Sequence, residues 1–286
     1  MNICGIPSKL EHPVYCELVH RYDVVSLSEI KCTPPFRIAG YYCLCSTVIP
    51  GEENCSGIAV LVRNNLWSGM YNIELHRDQI WFKLKQAPGI SFAALYVPPR
   101  DPPFFSHESF FIINEHFQNP HDSMVLMGDV NARLVPLECF NDDARNLTYS
   151  PNPDNRRNTN GNDLRDLLLT NSLKPINCLK VGKRHFKGEL TFRKGRTWIS
   201  QIDWGMASIS ALIHIQSFKV LNDAAVPTDH APIELIINKF ETSESDLLSR
   251  ASDLGKEAFH GSRIRAIRMQ DVDVRQFKAN LPPPDD

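Results

Sequence analysis

The sequence predicts an α/β layered sandwich with a functional site on one rim, and three observations carry that expectation. Stretches with strand character outnumber helical ones by about two to one. Polar residues recur where those strands end, as they do in sheets that present a site along one edge. The third observation is the stretch Met124-Val125-Leu126-Met127-Gly128-Asp129-Val130-Asn131-Ala132-Arg133, which turns abruptly from apolar to polar. Its first half reads as a strand buried on both faces. Asp129 and Asn131 leave it on one side, because side chains alternate with period two. A carboxylate that only accepts and an amide that donates and accepts suit water activation and oxyanion binding. A strand running into an Asx-type turn gives the same local pattern.

The remaining elements follow in chain order. Residues 1–6 read as the end of a strand. Residues 9–22 carry Leu10, Val14, Leu18 and Val19 at helical spacing, with Pro13 confined to the first turn. Residues 23–29 form the next strand, with Glu29 at its far end, and residues 57–62 another. Residues 80–84 and 90–97 straddle Pro88-Gly89 as a hairpin. Pro98, Pro99, Pro102 and Pro103 then force an extended loop after Tyr96. Residues 106–117 read as a helix capped by Ser106 and packed through Phe110, Phe111, Ile113 and Phe117. The Asn-, Asp-, Arg- and Pro-rich residues 142–162 read as a surface loop. Asn162 then caps a helix over 163–170 whose stripe is Leu164, Leu167 and Leu168. Strands around 190–192 and 198–206, an apolar stretch at 213–215 and a last strand at 232–237 complete a domain over 1–240. From Glu241 the composition turns to Ser, Asp, Lys and Arg, so residues 241–286 read as a mostly polar linker or tail, partly helical or disordered.

At 286 residues and 42% hydrophobic, the chain can bury a sizeable core. A net charge of -2 leaves no basic tail of the kind that marks nucleic-acid binders. A cluster of carboxylates would mask local basic patches in that total, so DNA stays open as a partner. No window approaches the roughly 18 apolar residues of a membrane span, and the N-terminus lacks a charged-then-apolar signal pattern. The expectation is an intracellular protein without a membrane partner. Cys4, Cys16, Cys32, Cys43, Cys45, Cys55, Cys139 and Cys178 show no CxxC spacing, and Cys43, Cys45 and Cys55 lack a fourth ligand at a zinc-site interval. They read as free thiols in a reducing compartment.

Several strand-end residues form a candidate constellation. Asn2 and Glu29 each close a short strand, and a carboxylate there is a natural ligand for a hard cation. Tyr96 closes an apolar strand, either offering its hydroxyl to a site or reaching solvent from the core. Asp203 stands between Ile202 and Trp204, where burial without a partner is costly. Asp229 and His230 share a turn between Pro227-Thr228 and Ala231-Pro232, which lets adjacent side chains serve one site. A buried Asp would orient the imidazole and stabilise its protonated form. Jointly these residues supply a group that activates water, a metal ligand and a charge stabiliser.

The blocks MNICGI, SLSEIKC, GIAVLVRN, LYVPP, MGDVNAR, Asn160-Gly161, LTFRKG with SQIDWG, and PTDHAPI occur in an order that resembles the endonuclease/exonuclease/phosphatase family. SEIKC and the pairing of TF with IDW are most similar to the apurinic-type endonuclease domain of non-LTR (LINE-like) retrotransposons. The resemblance covers about residues 2 to 238. It implies a four-layer α/β sandwich of two packed mixed β-sheets flanked by helices. It further implies a Mg2+-dependent DNA endonuclease (Mn2+ being an alternative ion) that nicks one strand to leave a 3'-hydroxyl. With it come DNA as partner, no small-molecule cofactor and a nuclear location. The alternative is a catalytically inactive, retrotransposon-derived remnant that binds nucleic acid or protein. By resemblance, Glu29 holds the metal with Asn2 and Asp229 completing or supporting its site. Asp129 orients and deprotonates the attacking water, Asn131 holds a phosphate oxygen, His230 oriented by Asp203 stabilises the phosphate, and Tyr96 bonds near the leaving group. The pattern departs from relatives at three places: Met1 stands where they carry further strand residues, which shortens the expected first strand. Pro99 replaces a frequent Asn, and Gln201 a frequent Arg. The segment from Arg265 to Phe277 is similar to the linker that precedes reverse transcriptase.

Overall fold

A computed structural model describes residues 1–3, 5, 12–31, 37–46, 57–100, 108–117, 123–223, 228–238 and 263–264. The first strands are β1 (Val24–Ser28), β2 (Tyr41–Cys45), β3 (Ile58–Arg63), β4 (Met70–Leu75), β5 (Gln79–Leu84) and β6 (Ile90–Tyr96). There follow β7 (Ser123–Asp129), β8 (Leu147–Tyr149), β9 (Leu173–Pro175), β10 (Leu179–Val181), β11 (Arg184–His185) and β12 (Phe192–Lys194). The last are β13 (Thr197–Ser200), β14 (Asp203–Ser208), β15 (Ile215–Val220), β16 (Ile233–Asn238) and β17 (Arg263–Ile264). The helices are α1 (Pro13–Val19), α2 (Asn64–Trp67), α3 (Glu108–Glu115), α4 (Thr159–Thr170) and α5 (Ile209–Leu212).

Three apolar clusters separate four layers. Residues of β3 alternate: Ala59 and Leu61 face Tyr15, Leu18 and Val19 of α1, while Ile58, Val60 and Val62 face the other sheet. There they meet Ile80, Phe82, Ala94 and Tyr96 of β5 and β6. The intervening residues Trp81, Ala93 and Leu95 turn outward onto Ile113 of α3 and Leu164 and Leu168 of α4. Period-two alternation in two strand sets, each covered by helix, therefore gives helix, sheet, sheet, helix. This is the four-layer sandwich that the sequence led us to expect.

The central sheet runs β4-β5-β6-β7-β14-β9. Only its β6·β7 pair is parallel among these strands, and α3 lies in the crossover that a parallel pair needs. The facing sheet runs β1-β3-β2 antiparallel and becomes mixed through a parallel bridge between Asn2 and Ser28. Strands β15, β16 and β17 pair in a further antiparallel set.

Several details differ from expectation. Pro13 opens α1 as anticipated, but Tyr15 packs inside and Val14 faces out. In α3, Phe111 is exposed while Ile113 is fully buried, because the helix meets the sheet along a narrower stripe than its aromatic content suggests. Helix α4 begins at Thr159 under an Asn158 cap, not at Asp163 under Asn162. The stretch expected as a surface loop holds β8, a buried Asp154 and that first helical turn. Leu10 and Ser106 lie outside the described residues, as does most of 241–286, of which Arg263–Ile264 pair with β16. The described cysteines are free thiols, and no helix among the described residues is long and apolar enough to cross a membrane.

Candidate active site

Strand register assembles the site. Tyr96 of β6 pairs with Asp129 of β7, and Asp129 pairs with Asp203 of β14. Residues level across adjacent strands share a face, so the three side chains form one row at the rim of the central sheet. Gly128 permits this register, since a Cβ there would come within 1.9 Å of the Leu95 carbonyl oxygen. The facing sheet brings Asn2 and Glu29, and the turn before β16 brings Thr228, Asp229 and His230.

Asp129 is almost fully buried. Its Oδ2 accepts from Asn2 Nδ2 at 2.9 Å, and its Oδ1 accepts from the Asn131 backbone N–H at 3.0 Å. The second contact is the Asx turn that the local pattern allowed. Asn131 adopts a left-handed φ of 47° and its Nδ2 donates to the Val97 carbonyl at 3.1 Å. His230 Nδ1 lies 3.0 Å from Asp203 Oδ2, and its Nε2 lies 3.9 Å from Asp129 Oδ2. Glu29 sits at φ 54°, a conformation that non-glycine residues adopt at a cost of about 1–2 kcal/mol. Its Oε1 accepts from the Tyr96 hydroxyl at 3.1 Å, and its Oε2 lies 2.8 Å from Lys31 Nζ. Asp229 is half-buried, and its carbonyl accepts from Arg193 N–H.

Charge follows from this burial. Desolvation raises the Asp129 carboxyl to about 7, assisted by Asp203 and opposed by His230, Asn2 and the Asn131 amide. Burial alone would lower His230, yet the carboxylates of Asp203, Asp129 and Asp229 outweigh it and raise the imidazolium to about 10. Burial, then Glu29 and Asp129, push the Tyr96 phenol far upward. At neutral pH the site therefore holds a charged imidazolium at His230 and a neutral tyrosine hydroxyl at Tyr96.

No protein-family model matches the sequence, and no curated protein does. Solved structures are similar: the 3'-5' exonuclease NExo from Neisseria meningitidis at 16% identity and TM-score 0.57, covering 81% of this chain and 95% of that one. The AP endonuclease LMAP from Leishmania major matches at 12% identity and TM-score 0.61, covering 84% and 86%. The endonuclease domain of TRAS1, a telomere-specific non-LTR retrotransposon, matches at 15% identity and TM-score 0.52, covering 82% and 93%. The chain has the fold these nucleases share. It is the endonuclease/exonuclease/phosphatase fold.

The structure brings Asn2, Asp129, Asn131, Asp203 and His230 into one hydrogen-bonded neighbourhood, with Tyr96 and Glu29 joined beside it. Supporting residues escaped sequence reasoning. Thr191 Oγ1 accepts from the Ile202 and Asp203 amides, fixing the start of β14. Thr228 Oγ1 donates to the Asn2 carbonyl and accepts from the His230 amide, tying two predicted residues together. Asn177 bonds Asp203 O and Gly205 N, and Asn160 bonds the carbonyls of Pro98 and Val130. Thr191, Thr228 and Asn160 stand inside the recognised blocks, which was the available signal; Asn177 carries none. Arg133 of the MGDVNAR block is engaged by buried Asp154 through Nε and Nη2.

Proposed function

We propose that the chain is a Mg2+-dependent phosphodiesterase that nicks DNA by in-line attack of water, leaving a 3'-hydroxyl, and that it derives from a non-LTR retrotransposon. The buried line Asn2–Asp129 beside His230–Asp203 is the observation that carries this reading. A carboxylate aimed by two donors and an imidazolium aimed by a second carboxylate are the groups that in-line phosphoryl chemistry needs. The nuclease fold supports DNA as the substrate.

The donor chemistry fits a hard cation. Glu29 sets its carboxylate beside Lys31, and Asp129, Asp203 and Asp229 set theirs around His230; oxygen donors in this excess suit Mg2+, with Mn2+ as substitute. Glu29 would hold the ion, supported by Asn2 and Asp229. Asp129, Asp203 and His230 also place ligand atoms within 4.8 Å of one another. The 3.0 Å His230–Asp203 contact is a hydrogen bond, however, and leaves no room for an ion between those two atoms. When bound, the ion neutralises charge on the phosphodiester and on the departing oxygen.

The chain's own residues do the rest. Asp129 takes the proton of the attacking water as its oxygen bonds to phosphorus; the phosphorus–O3' bond breaks on the opposite side, and the departing 3'-oxygen takes a proton from solvent. His230, fixed by Asp203, donates from Nε2 to a phosphate oxygen on which charge builds. Asn131, its backbone fixed by the Asx turn and one Nδ2 hydrogen given to the Val97 carbonyl, would offer its other amide hydrogen to another phosphate oxygen. Tyr96 donates its hydroxyl to Glu29, which helps to hold that carboxylate in place, and in this reading the same hydroxyl lies near the leaving group. Incubating purified protein with supercoiled plasmid and Mg2+ tests the proposal. Asp129→Asn and His230→Ala should each reduce nicking at least about 10²-fold while far-UV circular dichroism stays unchanged. Undiminished nicking by either variant would remove the assignment, and no nicking by the parent would favour the inactive remnant.

A further inference from the structure

A second cluster of side chains of the kinds that ligate metals lies away from this rim row, on the face of the central sheet that α3 covers. Glu74 of β4, His76 in the β4–β5 turn and His116 just past α3 place one ligand atom each within 4.8 Å of one another. Glu74 Oε2 is 3.7 Å from His116 Nε2 and 3.9 Å from His76 Nε2. Both separations are too long for hydrogen bonds. An ion bonded at about 2.0–2.1 Å to nitrogen and 2.0–2.2 Å to oxygen holds tetrahedral neighbours roughly 3.3–3.5 Å apart, so a small side-chain rotation would close the set. His76 Nε2 is shielded from solvent and has no hydrogen-bond partner among the described residues. A shielded imidazole nitrogen facing a carboxylate and a second imidazole is a donor set that a shared cation could join.

The surroundings hold this geometry. The His116 ring stacks on Trp81 with centroids 3.8 Å apart and planes 17° from parallel. Trp81 Nε1 donates to Gln79 Oε1, and Gln79 Nε2 donates to the Ser109 carbonyl inside α3. The His76 amide donates to the Gln79 carbonyl, which fixes the turn. Such supporting contacts orient imidazole ligands. Burial also lowers the His116 pKa, which favours the neutral ring that a metal requires.

We propose that Glu74, His76 and His116 form a binding site for a borderline divalent transition ion of the Zn2+ class, with a fourth position left to solvent. Two imidazoles and one carboxylate select such ions over oxygen-seeking Mg2+. The ion would clip the end of α3 to the β4–β5 hairpin. That position matters because α3 lies between β6 and β7, whose ends carry Tyr96 and Asp129, and because the Asp78 backbone carbonyl of the same turn accepts from the Tyr96 backbone N–H at 2.9 Å.

The test uses tag-free, full-length protein in the Asp129→Asn background, which weakens the rim cluster as a competing site. Calorimetric titration with Zn2+ in excess Mg2+ should show a bound equivalent that His76→Gln, Glu74→Gln and His116→Phe each weaken at least about tenfold. His116→Phe keeps a ring on Trp81 while removing the nitrogen. Its metal-free Tm should match the parent, and only the parent's Tm should rise with Zn2+. Co2+ should give tetrahedral d–d absorption without a thiolate charge-transfer band. Equal Zn2+ affinity in parent and variants, or a thiolate band, would overturn the site. Plasmid nicking is not among these readouts, so this proposal and the phosphodiesterase reading stand or fall separately.

Discussion

His230 lies between two carboxylates, and this makes it a stability switch as well as a candidate phosphate contact. Its folded-state pKa of about 10 exceeds the roughly 6.5 of an unfolded histidine. The stabilisation it brings is therefore complete below about pH 6.5 and fades as pH rises through 10. We expect metal-free protein to lose stability by up to about 1.4 kcal/mol per pH unit across that window. His230→Ala should be less stable than the parent near neutrality, and the gap should narrow toward pH 10. Urea denaturation of both proteins across this range checks it, and a constant gap would show that the imidazolium is not the titrating group. At this scale the sequence was informative in part: Asp203 between Ile202 and Trp204 called for a partner if buried, and the family resemblance, not local spacing, named His230 as that partner. The Thr228 contacts that aim the pair were not legible, because a threonine in a turn is satisfied in many ways.

Helix α4 shows how an element becomes part of a site. Asn158 Oδ1 accepts from the Gly161 and Arg133 amides, while its Nδ2 donates to the Asn131 carbonyl. One side chain thus caps the helix and anchors the left-handed turn after β7. Asn158→Ala should cost about 1–2 kcal/mol through the cap. Asn158→Asp keeps the acceptor and loses only the donor, so it should hold most of the stability and lower nicking by releasing Asn131. Paired melting and plasmid assays separate the two effects; equal activity in Asn158→Asp and the parent would break the link between cap and site. Gly161 belongs to the same device, since a Cβ there would lie 2.1 Å from the Arg133 carbonyl oxygen. Local sequence pointed to Asn162 as the cap, and this close approach of Gly161 to β7's outgoing loop is what carries the helix back to Thr159 under Asn158. The β5–β6 hairpin and β7 were legible because their apolar runs are long and bounded by Gly, Pro or charge. The three-residue β8, β9 and β10 were not, since their pairing depends on partners distant in sequence.

Across the whole molecule, the two sheets meet chemically at Asn2. Its backbone bridges Ser28 of β1, its carbonyl accepts from Thr228, and its amide donates to Asp129 of β7. The inter-sheet apolar cluster sets the distance between the sheets, and Asn2 sets how their rims face. The rim arrangement was readable as strand-end polarity, whereas the pairing of Asn2 with Asp129 across 127 positions was not. That pairing yields a test of the metal proposal. Asn2→Asp replaces a donor by a second carboxylate beside Asp129, so without a cation it should destabilise by on the order of 3 kcal/mol. For a chain of this size the loss corresponds to a Tm lower by roughly 6–12 °C. An ion held at Glu29 would neutralise the added charge, so millimolar Mg2+ should raise the variant's Tm by more than it raises the parent's. Thermal melts of both proteins with Mg2+ and with EDTA measure that difference. Equal shifts in the two proteins would place the cation away from Asn2 and leave Glu29 and Asp229 to hold it without Asn2.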